Sequence, residues 1–221
     1  YKKEDKSSEE TALVTRGDGS KDSPYAVATA NQLNGFVRDH PYKHYVQIED
    51  IDLSEYNNWT PIPKSSGEFN GVFDGSGYTI NNLSINQTAE DNVGLFSKLA
   101  EEGVLQNIHL KNVDIGGRYY TGSLVGYSFG DVIHCSSQGS VKGASAIGGL
   151  LGSNLNGSIT NSYATCDVTG DIISSSHVGG LVGYSQGGTI KNSYATGKVK
   201  GNKDVGGLVG CDSGNSKISN S

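Results

Sequence analysis

The acids Glu49, Asp50, Asp52 and Glu55, with the more distant Asp74, come nearest to chemistry in this sequence by type and spacing. Paired carboxylates cleave glycosidic bonds, and clustered carboxylates supply oxygen ligands to calcium. The same residues also read as the solvated face of a strand and its turns, a reading that needs no convergence of distant positions. Structural calcium is the one cofactor such a group suggests. His40 and His44 have the outer spacing of a zincin motif, but that motif needs an unbroken helix with glutamate after the first histidine, where Pro41 stands. His109, His134 and His177 lack even that spacing, and no serine or cysteine has a persuasive His/Asp constellation. The expectation is no catalytic, cofactor-binding or metal-ligating residue.

Aromatic residues are the better candidates for binding. Trp59, Tyr119, Tyr120, Tyr127 and Tyr184 form a candidate ligand surface able to stack on sugars or anchor a protein, as do Tyr163 and Tyr194. The competing reading is that some of these rings cover the flank of a core. Arg16-Gly17-Asp18 matches a tripeptide that engages integrins, but Asp18-Gly19-Ser20 is also an ordinary turn sequence.

The elements that must position these residues are announced by a repeat. The phrase Gly179-Gly180-Leu181-Val182-Gly183 recurs at Gly94, Gly122, Gly148 and Gly206, with starts at Val93, Thr121, Ile147, Val178 and Val205. A second phrase follows it: Gly157-Ser158-Ile159-Thr160-Asn161-Ser162-Tyr163-Ala164-Thr165 matches Gly188-Thr189-Ile190-Lys191-Asn192-Ser193-Tyr194-Ala195-Thr196. A unit this short cannot bury a core alone and must stack on its copies. The predicted fold is all-β: a right-handed parallel β-helix, or β-solenoid, with a short N-terminal capping helix. Coils about 4.8 Å apart place equal positions over one another. The expected apolar ladders are Leu95, Leu124, Leu150, Leu181 and Leu208, and Ile80, Leu105, Val132, Ile159, Ile190 and Ile218. Asn82, Asn107, His134, Asn161, Asn192 and Asn220 are expected to form one polar ladder of stacked side chains.

Residues 1–17 read as a disordered linker, 18–78 as an N-terminal cap with opening strands, and 79–221 as the repeat solenoid, expected to be truncated at its C-terminal end. Within the cap, Thr29-Ala30-Asn31-Gln32 has capping-box spacing ahead of Leu33, Phe36 and Val37. The 221 residues include 32 glycines and no methionine, and carry a formal charge of −6 with no basic stripe, which argues against nucleic acid as a partner. No apolar run reaches the roughly 20 residues that span a bilayer, so no membrane insertion is expected in this segment. Cys135, Cys166 and Cys211 fall in different columns of the repeat, which excludes a regular bridge between coils.

The two phrases together resemble the GLUG repeat of bacterial secreted and cell-surface proteins, from about Asn92 to Ser221. Upstream, Trp59-Thr60-Pro61-Ile62 and Phe69-Asn70-Gly71-Val72-Phe73-Asp74-Gly75 resemble the segment that commonly precedes those repeats. The resemblance implies a noncatalytic module of a larger exported protein, extracellular or at the cell surface. Such a module would adhere to or recognise a host surface protein, an immunoglobulin or a glycan. It also implies an alternative, the substrate-binding or spacer region of an IgA1-type zinc metallopeptidase. The His-Glu-x-x-His of that peptidase does not occur here, so no catalytic residue is carried over. A carbohydrate-active β-helix enzyme, using Asp52 or Asp74, is the third reading.

Overall fold

The computed structural model describes residues 16–63, 67–171 and 173–221, so residues 1–15 of the expected linker and Ile172 lie outside the described residues. The chain winds as a parallel β-solenoid of about six turns. One face is an eight-stranded sheet whose spatial order follows the chain: Tyr25–Val27, His44–Gln47, Val72–Asp74, Val104–Gln106, Asp131–Ile133, Ser158–Thr160, Thr189–Lys191 and Lys217–Ser219. Residues 18–78, read as cap and opening strands, thus contribute the first three rungs of this sheet. Three further sheets of nine, five and four strands complete the coils. No helix among the described residues is long and apolar enough to cross a membrane.

The apolar residues of the second phrase form a continuous ladder. Tyr45, Phe73, Leu105, Val132, Ile159, Ile190 and Ile218 stand in register. The members from Tyr45 to Ile190 are buried. Ile80 does not belong to this ladder as expected: it pairs with Ile51 and Leu110 on the nine-stranded sheet, and Phe73 holds its place. The mistake is physical mimicry, because Thr79-Ile80-Asn81-Asn82 repeats the strand-then-corner pattern of the second phrase on a different face. The leucines of the glycine phrase make the other ladder, buried from Leu95 through Leu181 and partly buried at Leu208.

The asparagine column turns the corner at the end of the eight-stranded sheet. Asn107, His134, Asn161, Asn192 and Asn220 all have left-handed backbones, with φ between 51° and 54°. Asparagine and histidine tolerate that region better than most residues with a β-carbon. The side chains then link the coils. Asn107 Nδ2 donates to Asp74 Oδ1 at 2.9 Å, Asn161 Nδ2 meets His134 Nε2 at 3.0 Å, and Asn192 and Asn220 donate to the preceding Asn Oδ1 at 3.0 and 3.2 Å. Asn82 lies apart from them. It heads a second corner with Asn112, accepting from Asn112 Nδ2 at 2.6 Å and donating to Asp52 Oδ1 at 2.8 Å.

The serine after the corners at Asn161 and Asn192 adds a device that sequence reading missed. Ser162 Oγ and Ser193 Oγ each donate to the carbonyl two residues earlier and accept a backbone N–H from the neighbouring coil, of Cys135 and Ser162 respectively. Asn161→Ala is expected to cost about 1–2 kcal/mol, through lost inter-coil hydrogen bonds and a strained left-handed alanine. Asn161→Gly keeps the corner and should cost clearly less. Equal denaturation midpoints for the two variants would show that the corner conformation contributes nothing.

The capping helix begins as expected. Thr29 Oγ1 accepts from Gln32 N, and Gln32 Oε1 accepts from Thr29 N, both at 3.2 Å. The helix widens into a π turn over Leu33–Val37, and Leu33 and Val37 are fully buried. Arg38 then clamps it to the stack, donating to the carbonyls of Pro61 and Thr60 at 2.6 Å each.

Candidate functional site

The last glycine of each phrase shapes the surface. A β-carbon on Gly126, Gly152, Gly183 or Gly210 would stand 2.3–2.5 Å from the corner backbone of the neighbouring coil, at Asn92, Tyr120, Ala146 and His177 respectively. Glycine therefore lets the strand run against that corner, and the residue after it emerges beside the corner side chains. Two columns result. The corner column is Asn92, Tyr120, Ala146, His177 and Asp204, all left-handed with φ between 51° and 58°. The strand column is Lys98, Tyr127, Ser153, Tyr184 and Cys211, in register along the five-stranded sheet.

Where both columns carry small residues, Ala146 and Ser153, the surface is notched. Aromatic pairs from the flanking coils bound the notch. Tyr120 and Tyr127 pack edge to face at 5.0 Å on one side, and His177 and Tyr184 lie 5.5 Å apart on the other. The cavity is about 390 Å³, and Tyr119, Ser145, Leu155 and Gln186 complete its lining. Two coil spacings set the pairs roughly 9.6 Å apart. Burial among these rings raises the Tyr127 phenol above its ordinary value, with Tyr120 and Tyr184 adding to the shift.

Four of the five candidate aromatic residues thus meet in one slot. Tyr119 sits at its rim, 44% exposed, with the Arg118 guanidinium 5.0 Å from its ring centroid and paired to Asp91. Trp59 does not join them. It is fully buried under the cap, beside Tyr56 and beneath Arg38, and is a core residue rather than a ligand surface. Tyr163 and Tyr194 form a separate parallel stack at 4.9 Å on the nine-stranded sheet. Ala146, Ser153 and His177 were missed, since nothing marks them until the two columns are aligned. The signal available was their position, before or after the recurrent glycines.

The acids are not brought together as a pair. Asp74 Oδ1 accepts from Asn107 Nδ2 and Ser76 N, and its Oδ2 accepts from Gln106 Nε2 at 2.8 Å. Asp52 lies on another sheet, where bonds from Asn82 and then Ser54 hold its carboxyl below the ordinary value. Both anchor corner columns by accepting hydrogen bonds. Glu49, Asp50, Asp52, Glu55 and Asp74 form no three-donor cluster among the described residues. Arg16-Gly17-Asp18 occupies a turn closed by Asp18 N donating to Ser23 O. His40 bonds through Nδ1 to Phe36 O at 3.1 Å.

Comparison with known proteins places this geometry. Residues 117–142, 143–172 and 174–200 match the GLUG motif. Over 162 residues, 67% of the chain, the sequence is 34% identical to halomucin of Haloquadratum walsbyi. Over 137 residues, 58% of the chain, it is 32% identical to a candidate Gly-rich membrane protein of Evansella cellulosilytica. The matched segments span 2% and 16% of those two relatives. A crystal structure of a candidate immunoglobulin A1 protease from Bacteroides ovatus superposes with a TM-score of 0.74 at 23% identity, covering 93% of this chain and 67% of that one. At that identity the likeness is one of fold. Three consecutive GLUG motifs, each spanning about one coil, thus lie within this parallel β-solenoid.

Proposed function

We propose that this solenoid is a noncatalytic recognition module of a larger exported protein and that the slot between Tyr120/Tyr127 and His177/Tyr184 binds a neutral saccharide. The slot itself carries the reading: aromatic side chains stand on two sides of a notch whose remaining edges, Ser145, Gln186 and the His177 imidazole, are polar. A pyranose has that division, with C–H faces and a hydroxyl rim. The chain's charge of −6 favours a neutral over an anionic glycan. That the matched segments are small fractions of their relatives, one named a membrane protein, supports a module within a longer surface protein. A second reading, a spacer or substrate-binding region of an IgA1-type metallopeptidase, is favoured by the fold likeness to the Bacteroides ovatus protein.

The test is a glycan array followed by titration of the best neutral oligosaccharide into the chain. Tyr127→Ala and Tyr184→Ala should each weaken binding about tenfold or more, equivalent to about 1.4 kcal/mol. Tyr194→Ala, outside the slot, should leave it unchanged. Absence of glycan binding, or affinity indifferent to both slot variants, would remove the saccharide reading and leave the spacer.

A further inference from the structure

At the lower end of the same two columns the aromatic residues give way to metal-binding types. Asp204 follows His177 in the corner column, and Cys211 follows Tyr184 in the strand column. His177 Nε2 lies 3.4 Å from Asp204 Oδ2, and one ligand atom from each of His177, Asp204 and Cys211 falls within 4.8 Å of the others. Among the described residues this is the one trio of histidine, cysteine or acid donors so gathered.

We propose that His177, Asp204 and Cys211 form a binding site for a divalent transition metal, with zinc the best fit. Tetrahedral zinc with bonds of about 2.0–2.3 Å holds its donors about 3.3–3.8 Å apart. The His177–Asp204 spacing already has that value, and a small swing of the Cys211 side chain supplies the third donor. A nitrogen, a sulfur and one carboxylate suit zinc, whereas calcium takes six to eight oxygens. One thiolate and one carboxylate neutralise the dication, and water takes the fourth position because all three residues remain accessible to solvent.

The site is three-coordinate in protein ligands because it is built from two coils: His177 comes from one, Asp204 and Cys211 from the next. A bound ion therefore ties adjacent coils beside the aromatic slot. Without metal, partial burial raises the Cys211 thiol, and the charges of Asp204 and Asp212 raise it further, while Lys203 opposes them. Binding forms the metal–sulfur bond as the thiol proton leaves to solvent.

Titration of the reduced full chain with Co²⁺ tests the site directly. One equivalent should give thiolate-to-cobalt charge-transfer absorption with tetrahedral ligand-field bands, and Zn²⁺ should displace it and raise the Tm. The charge-transfer band should vanish in Cys211→Ser, and affinity should fall at least about tenfold in His177→Ala and Asp204→Asn. Serine already occupies the Cys211 column at Ser153, so metal-free Cys211→Ser should melt as the metal-free parent does. The proposal is overturned by absence of the band, by its persistence in Cys211→Ser, or by cobalt affinity unchanged in His177→Ala.

Discussion

Gly183→Ala is expected to lower stability by ~3 kcal/mol, the upper end of overpacking penalties. The added β-carbon would lie 2.3 Å from Ile147 N, 2.4 Å from Ala146 C and 2.7 Å from Gly152 O. All three are backbone atoms of the neighbouring coil, so no flexible side chain can move aside, and relief requires parting two coils or straightening the left-handed corner at Ala146. Gly207→Ala is the control: it lies in the phrase one coil later, at the second rather than the last position, and its β-carbon would meet nothing within 4 Å. That variant should stay within about 0.5 kcal/mol of the parent. Denaturant midpoints followed by circular dichroism compare the two. If Gly183→Ala unfolds together with Gly207→Ala, the glycine phrase does not owe its recurrence to coil contact.

The second large effect concerns Trp59. Trp59→Ala should cost about 3–5 kcal/mol, as expected for emptying a fully enclosed aromatic site. Its removal also strips the surface on which Arg38 lies, 5.3 Å from the ring centroid, and so loosens the capping helix. Trp59→Phe should be much milder, about 1 kcal/mol, because the buried indole N–H has no hydrogen-bond partner among the described residues and phenylalanine removes that orphan donor. As the sole tryptophan, Trp59 reports on its own surroundings. Its emission should be that of a shielded indole and should not respond to saccharide. A ligand-dependent emission shift, or a Trp59→Ala variant as stable as the parent, would return this residue to the surface.

How far the sequence could be read depended on how local each cause was. The stack, its leucine ladder and the second-phrase ladder from Leu105 to Ile218 were legible because each coil repeats the same short apolar pattern. The capping box was legible because its whole hydrogen-bond set lies within four residues, Thr29 to Gln32. Ile80 and Asn82 were misplaced because two different corners of the coil use the same strand-then-asparagine grammar. Trp59 was misjudged because an isolated tryptophan looks alike in sequence whether a helix covers it or not, and Arg38, which holds that helix down, lies more than twenty residues away.

The aromatic slot was legible only as a set of tyrosines. Tyr119, Tyr120, Tyr127 and Tyr184 could be named, but not that Tyr127 and Tyr184 stand two coils apart over Ser153. His177, Asp204 and Cys211 had no sequence spacing typical of a metal site, since their proximity comes from stacking rather than from a helix face or a turn.

By itself the sequence determined the repeat, and with it the parallel stack, because a unit too short to bury its own leucines can satisfy them only against a copy. It also determined where glycine and asparagine recur. Tertiary structure decided what those recurrences accomplish: left-handed corners joined by side-chain hydrogen bonds, and strands pressed so close to the neighbouring corner that the next side chain projects outward beside it. The physical reason is that stacking makes neighbours of residues a full coil apart in the chain. Which side chains share a notch therefore depends on register and corner conformation, and both are settled only once the coils are wound.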